Sequence, residues 1–164
     1  MTGGFLLWKT AHILSATVLF GTGLGIAFFC WFGCRSALRR GEIAVLRSVL
    51  RLTVIADAWL TAPAVVFQAV SGWVLMRVLG WPLTSPWALA AIALFMLVGA
   101  CWLPVVAIQV RLWREARAAA SIDALPDSFH RRFKIWFALG VPAFAGIVVL
   151  FYLMAAKPLS MTAT

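Results

Sequence analysis

The chain has 164 residues, of which 64% are hydrophobic and 12% charged, with a net charge of +9 and a mean hydropathy of +1.00. A soluble domain is about 45–50% apolar and about 25% charged, so the composition excludes a water-soluble globule and implies a single integral membrane domain. The positive charge does not imply a nucleic-acid partner. It gathers at Arg35, Arg39, Arg40, Arg47 and Arg51, and again at Arg111, Arg114, Arg117, Arg131, Arg132 and Lys134, between apolar runs. Short basic connections of this kind stay in the cytoplasm and attract anionic lipid headgroups.

The first apolar run predicts a helix from about Phe5 to Arg35. It is about twice the length of a signal-peptide core, and Met1-Thr2-Gly3-Gly4 carries no basic side chain, so the run is expected to be retained. Lys9 and His12 stand three residues apart near its start and share a helix face. Gly21, Gly23 and Gly25 follow, and the Gly21/Gly25 step predicts close approach of a second helix. Segment 36–51 reads as a cytoplasmic connection in which Leu38, Ile43, Val45, Leu46, Val49 and Leu50 alternate with arginines, a pattern shared by a helix lying along the interface and an ordinary charged loop.

The second helix is expected from about Leu52 to Leu79, with Asp57, Thr61, Pro63, Gln68 and Ser71 inside it. Pro63 predicts a kink. Asp57 is expected either to pair with an arginine of the basic segments, such as Arg51, or to relay protons. The turn Gly80-Trp81-Pro82-Leu83-Thr84-Ser85-Pro86 leads into a third helix, Trp87 to about Arg114. A second cytoplasmic loop, 115–132, holds His130 as a solvated residue, and a fourth helix runs from about Phe133 to Ala156, ending at Lys157-Pro158. Pro104 predicts a further kink. Trp8, Trp73, Trp81, Trp87 and Tyr152 are expected at the outer membrane interface, and Trp31, Trp102, Trp113 and Trp136 at the inner one. The expectation is therefore an all-α, four-helix membrane bundle spanning 1–164, with both termini outside the cytoplasm.

Ionisable side chains within a membrane usually face the bundle interior and mark a functional site. His12 is the sole histidine in the four apolar runs. A buried neutral imidazole serves as a haem ligand, a proton relay or a single structural hydrogen bond. With no second membrane histidine in the chain, a haem on His12 takes its sixth ligand from a methionine, a lysine or a second subunit, or leaves the position open. Met76 and Met154 are the methionines at suitable depth, and apolar filling is their alternative role. Cys30, Cys34 and Cys101 lack the partners of a zinc site. The glycines of the first helix follow no strand and make no dinucleotide fingerprint.

The segments Lys9-Thr10-Ala11-His12-Ile13-Leu14-Ser15, Gly21-Thr22-Gly23-Leu24-Gly25 and Phe137 to Gly146, with the ending Ala156-Lys157-Pro158, resemble an uncharacterised bacterial family of predicted integral membrane proteins. More distantly, Lys9-x-x-His12 and Thr61-x-Pro63 followed by Gly72 and Leu75 are similar to the four-helix membrane protoporphyrinogen IX oxidase of bacterial haem synthesis. In that enzyme the matching histidine is associated with haem b. The chain lacks that enzyme's basic and aromatic end of helix 1, and has no lysine soon after Trp87. Haem binding through His12 is what the resemblance carries over, rather than porphyrinogen oxidation.

The resulting expectation is a bacterial inner-membrane protein with a b-type haem or porphyrin beside His12. Lys9 would lie near a propionate or acidic substrate group, and quinone or another membrane carrier would accept electrons. The competing class is a non-catalytic subunit or small transport component in which His12, Asp57 and Gln68 bond between helices or handle protons. Homo-oligomerisation is compatible with both.

Overall fold

The computed structural model describes residues 3–156; Lys157, Pro158 and the tail after them lie outside the described residues. Among the described residues there is no strand. The elements are α1 (Gly3–Arg40), α2 (Ile43–Val78), α3 (Pro86–Ala118) and α4 (Asp127–Ala156). All four are long and apolar enough to cross a membrane, so the chain is an all-α membrane bundle. α1 and α2 form one hairpin and α3 and α4 the other. The two are joined where the first half of α2 packs on α3, and where α1 meets α4.

At about 1.5 Å per residue the 38 residues of α1 extend about 57 Å, well beyond a hydrocarbon core of about 30 Å. The charged residues show where the surplus goes. From Lys9 to Arg35 on α1, and from Arg51 to Arg77 on α2, is about 39 Å of helix in each case, and Asp57 is the single charged-type residue within either stretch. The extra turns therefore project at the basic end. There they are helical, which agrees with the helix reading of 36–51 but packs it inward rather than along the interface, and helix also extends into both ends of the segment expected as a loop at 115–132. Residues 36–40 continue α1, Ile43 onward already belongs to α2, α3 runs on to Ala118, and α4 starts at Asp127.

This projecting cap holds the tightest packing in the molecule. Cys34, Ala37, Leu46, Leu50, Leu112, Ala116 and Phe129 are completely buried there. Leu46, Leu50, Thr53 and Asp57 recur every three or four residues, so they line one helical face and point inward rather than into a lipid surface. Arg47 ties the hairpins together: its Nε and Nη2 donate to the carbonyls of Ala116 (2.9 Å) and Ala119 (2.5 Å) at the end of α3. Those carbonyls have no partner within their own helix, and a cation at a helix C-terminus is favoured by the dipole. Arg132 of α4 pairs with Glu115 of α3 and bonds Ser128.

The helix ends follow from local chemistry. Gly41 and Gly80 adopt positive φ (72° and 67°), and the next residues donate back to Ala37 and Met76 at 3.0 and 3.1 Å. This is the six-to-one bond of a glycine-terminated helix, which few other residues accommodate. Ser85 precedes Pro86, whose fixed φ and missing N–H suit the first helical position. α2 crosses Pro63 by widening into a π-helical turn, Asp57–Thr61. The prolyl ring collides with the carbonyl four residues earlier, and one added residue in the preceding turn relieves that clash. α3 and α4 run on through Pro104 and Pro142.

Two expectations about packing are corrected. A Cβ on Gly21, Gly23 or Gly25 would meet nothing within 4 Å, so this face is open. Close approach occurs instead at Gly33, where a Cβ would stand 3.0 Å from Val49, and at Gly146, where one would collide with Cγ2 of Val98. The tryptophans do not all form lipid-facing belts. Trp87 and Trp136 are buried, and Trp31 lies between Phe133 and Phe137 with ring centroids 5.3 and 4.1 Å away.

Candidate functional site

His12 lies on the inward stripe of α1 that also carries Ser15, Phe20, Cys30 and Cys34, and faces the half of α2 remote from the basic cap. Ser15 Oγ donates to the Ala64 carbonyl at 3.2 Å, and Trp8 stacks on Phe67 with centroids 6.1 Å apart. Between these contacts, His12 Nδ1 meets Ser71 Oγ at 2.7 Å. Ser71 is fully buried, while His12 is half-buried. Gly72 lies beside the ring, where a Cβ would stand in ordinary contact 3.5 Å from His12 Cε1.

Ser71 Oγ also lies 2.6 Å from the Phe67 carbonyl one turn earlier. With its single proton given to that carbonyl, Ser71 accepts from Nδ1–H of His12 and Nε2 keeps a lone pair; with the proton given to His12, Nδ1 is the acceptor. Among the described residues Nε2 has no hydrogen-bond partner. An orienting bond at one ring nitrogen with the other left unprotonated is the arrangement that histidine ligands use.

The other expected site residues are distributed as follows. Lys9 is exposed, one turn nearer the start of α1 than His12. Gln68, one turn nearer the cap than Ser71, is half-buried, and its Oε1 is buried without a partner among the described residues. Met76 lies five residues beyond Ser71, about 7.5 Å further from the cap along α2. Met154 belongs to α4, whose Phe144 and Phe151 both pack on Phe20. That register sets it at about the level of His12, with its side chain 40% exposed. His12 lines neither of two shallow cavities in the bundle. One, of about 260 Å³, opens between α1 and α2 at Thr22, Gly25, Phe29 and Thr53, and the other, of about 180 Å³, lies at Arg51 and Trp113. Among the described residues no group of three or more His, Cys, Asp or Glu side chains is placed to hold a metal ion.

Asp57 forms a second polar centre, nearer the basic end. It is 5% exposed and does not pair with an arginine: among the described residues the one ion pair is Arg132 with Glu115. Arg51, the expected partner, is exposed, because a guanidinium next to the bilayer gains more from water than from a buried carboxyl. Asp57 Oδ1 instead accepts from Trp102 Nε1 at 3.4 Å, and the side chains of Thr61 and Gln109 also lie against it. Spacing alone does not single out Trp102 and Gln109. Gln109 on an otherwise apolar helix is the available signal.

A family model described as a predicted integral membrane protein, DUF2269, matches residues 6–158. The chain belongs to this family. No curated protein and no solved structure matches it. A likeness to the porphyrinogen oxidase is not shown by these comparisons.

Proposed function

We propose that this protein binds a b-type haem or related metalloporphyrin at the outer end of the α1/α2 hairpin and serves as a redox component of the bacterial inner membrane. The observation that carries the reading is the 2.7 Å contact of His12 Nδ1 with buried Ser71 Oγ, which fixes the ring at one nitrogen and leaves Nε2 without a partner among the described residues. In this reading His12 would hold the haem iron and Ser71 would orient its ring. Lys9, exposed at the same end, neutralises a propionate or an acidic substrate group. Met154, at about the level of His12, would be the second residue to hold the iron, with Met76, Lys9, a second copy of the chain or no further group as the alternatives. When bound, the haem supplies one-electron transfer, with quinone or another membrane carrier as acceptor. Both termini lie outside the cytoplasm, and the basic cap lies inside against anionic headgroups, following the distribution of arginine.

The test is the visible spectrum of protein purified in mild detergent from haem-replete cells, oxidised and then reduced with dithionite, beside His12→Ala. A Soret band that sharpens on reduction and is lost in the variant is expected. A colourless wild-type protein would overturn haem binding. His12 would then be an interhelical hydrogen-bonding residue like Ser15, whose bond to Ala64 favours that second reading of a packing subunit.

A further inference from the structure

The larger of the two cavities is lined without a charged side chain, whereas the smaller has a guanidinium at its edge. This smaller groove, of about 180 Å³, lies between α2 and α3 and is lined by Arg51, Val54, Ile55 and Trp113. Arg51, Val54 and Ile55 are i, i+3 and i+4 on α2, so together they form one wall. The wall changes character along its length. Arg51 stands at the cap end, and the two aliphatic side chains lie about 4.5 and 6 Å further along the helix, toward the membrane interior. Because Arg51 bounds the stretch of α2 that crosses the hydrocarbon, the mouth of the groove is at headgroup level. The half-buried ring of Trp113 supplies the opposite wall.

The mouth is basic from both sides. Arg47, one turn toward the cap from Arg51, is held by the carbonyls of Ala116 and Ala119, which fixes the register of α2 against α3. One turn toward the cap from Trp113, Arg117 lays its guanidinium over the indole, 5.8 Å from the ring centroid. Arg51 and Arg117 are both exposed, and neither pairs with a carboxylate. Glu115, the acidic side chain on this part of α3, is already engaged by Arg132. The groove therefore joins an unneutralised cationic rim to an apolar floor. A phosphate ester of a diacylglycerol matches that sequence of surfaces: the guanidinium fork suits phosphate oxygens, alkyl chain covers Val54 and Ile55, and an indole sits well at the level between them. A second copy of the chain fits poorly, since it would bring a net charge of +9 to a basic mouth.

We propose that the α2/α3 groove binds one anionic phospholipid of the inner leaflet, its phosphate on Arg51 with Arg117 beside it and one acyl chain along Val54 and Ile55. The site rests on the orientation given above, with the basic cap inside, and deepens it: that orientation requires only diffuse attraction of headgroups, whereas the groove holds a single lipid.

Native mass spectrometry of the full chain tests this, with delipidated protein in mild detergent titrated with equal amounts of phosphatidylglycerol and phosphatidylcholine. One phosphatidylglycerol per chain should be retained before any phosphatidylcholine. A basic side chain near an anionic surface is worth about fivefold in affinity, so Arg51→Gln should weaken the first site by about fivefold or more. Arg39→Gln, at the exposed end of α1, should leave it unchanged. Phosphatidylglycerol brominated on its acyl chain should quench a saturable part of the tryptophan emission that Trp113→Phe removes. Equal retention of the two lipids would overturn the site and the headgroup reading together. Equal losses in Arg51→Gln and Arg39→Gln would overturn the groove alone and leave diffuse attraction. Quenching that persists in Trp113→Phe would put the lipid elsewhere, and a lipid-free dimer would give the groove to a second copy; either result overturns the proposal. Arg51 is exposed, so its replacement does not threaten the fold.

Discussion

Ser71 Oγ is 2.7 Å from His12 Nδ1 and 2.6 Å from the Phe67 carbonyl, so one hydroxyl both fastens α1 to α2 and couples the imidazole tautomer to the direction of its own bond. Removing the hydroxyl frees the ring to rotate and to change tautomer. Loss of an orienting partner typically costs about 10–100-fold in ligand affinity. Ser71→Ala should therefore weaken haem binding by about that factor in a titration of haem-free protein, while leaving the helical content unchanged. Equal affinity in the variant would show that Ser71 does not orient the ligand.

Gly146 and Gly21 make opposite predictions for the same substitution. A Cβ at Gly146 would collide with Cγ2 of Val98, a stiff β-branched side chain, whereas one at Gly21 would meet nothing within 4 Å. Overpacking costs about 1–3 kcal/mol and helix propensity returns at most about 1 kcal/mol. Thermal unfolding in detergent should show Gly146→Ala destabilised and rescued by Val98→Ala, with Gly21→Ala neutral or slightly stabilised.

Arg47 reaches both terminal carbonyls of α3 through a planar fork that lysine cannot reproduce. Arg47→Ala should cost about 1.5–3 kcal/mol by the usual value of hydrogen bonds to a charged group, and Arg47→Lys should recover less than half of it. The check is the midpoint of thermal unfolding in detergent. A loss no greater than that of Arg39→Ala, an exposed arginine of the same end, would contradict the capping role.

What can be read in the sequence divides along physical lines. Four spans are legible because hydropathy over some twenty residues is a bulk property of the bilayer crossing, and the Gly80–Pro86 turn is legible because its residues are demanded by φ. The inward packing of the cap is not, although a helix over 36–51 is one of the two readings its pattern allows. Arg35 to Arg51 has the composition of a loop, and the buried stripe of Leu46, Leu50 and Thr53 is equally the pattern of a helix lying on a membrane. Gly21 and Gly25 have the spacing of a helix contact, but spacing cannot reveal whether a neighbour covers it. His12 stands out in the sequence as a chemically distinct position, yet its tautomer depends on Ser71, 59 residues away. An arginine partner for Asp57 is the natural expectation because Coulomb attraction is easy to read from charge, while a tryptophan N–H 45 residues away requires the fold.

The orientation has its own test. α1 ends at Arg40 and α3 at Ala118, both at the basic end of the bundle. Reporter fusions after Arg40 and after Ala120 should both report the cytoplasm. One reporting the outside would contradict the orientation, and two would invert it.

The most direct test of the account is the protonation of His12 itself. The chain has two histidines, so His130→Asn leaves one imidazole for ¹⁵N magnetic resonance of haem-free protein in detergent. The account predicts a protonated Nδ1 and an unprotonated Nε2 at neutral pH, with Ser71→Ala populating both tautomers. A single Nε2–H tautomer, with Nδ1 accepting from Ser71, would contradict it, because His12 would then have no free lone pair to offer.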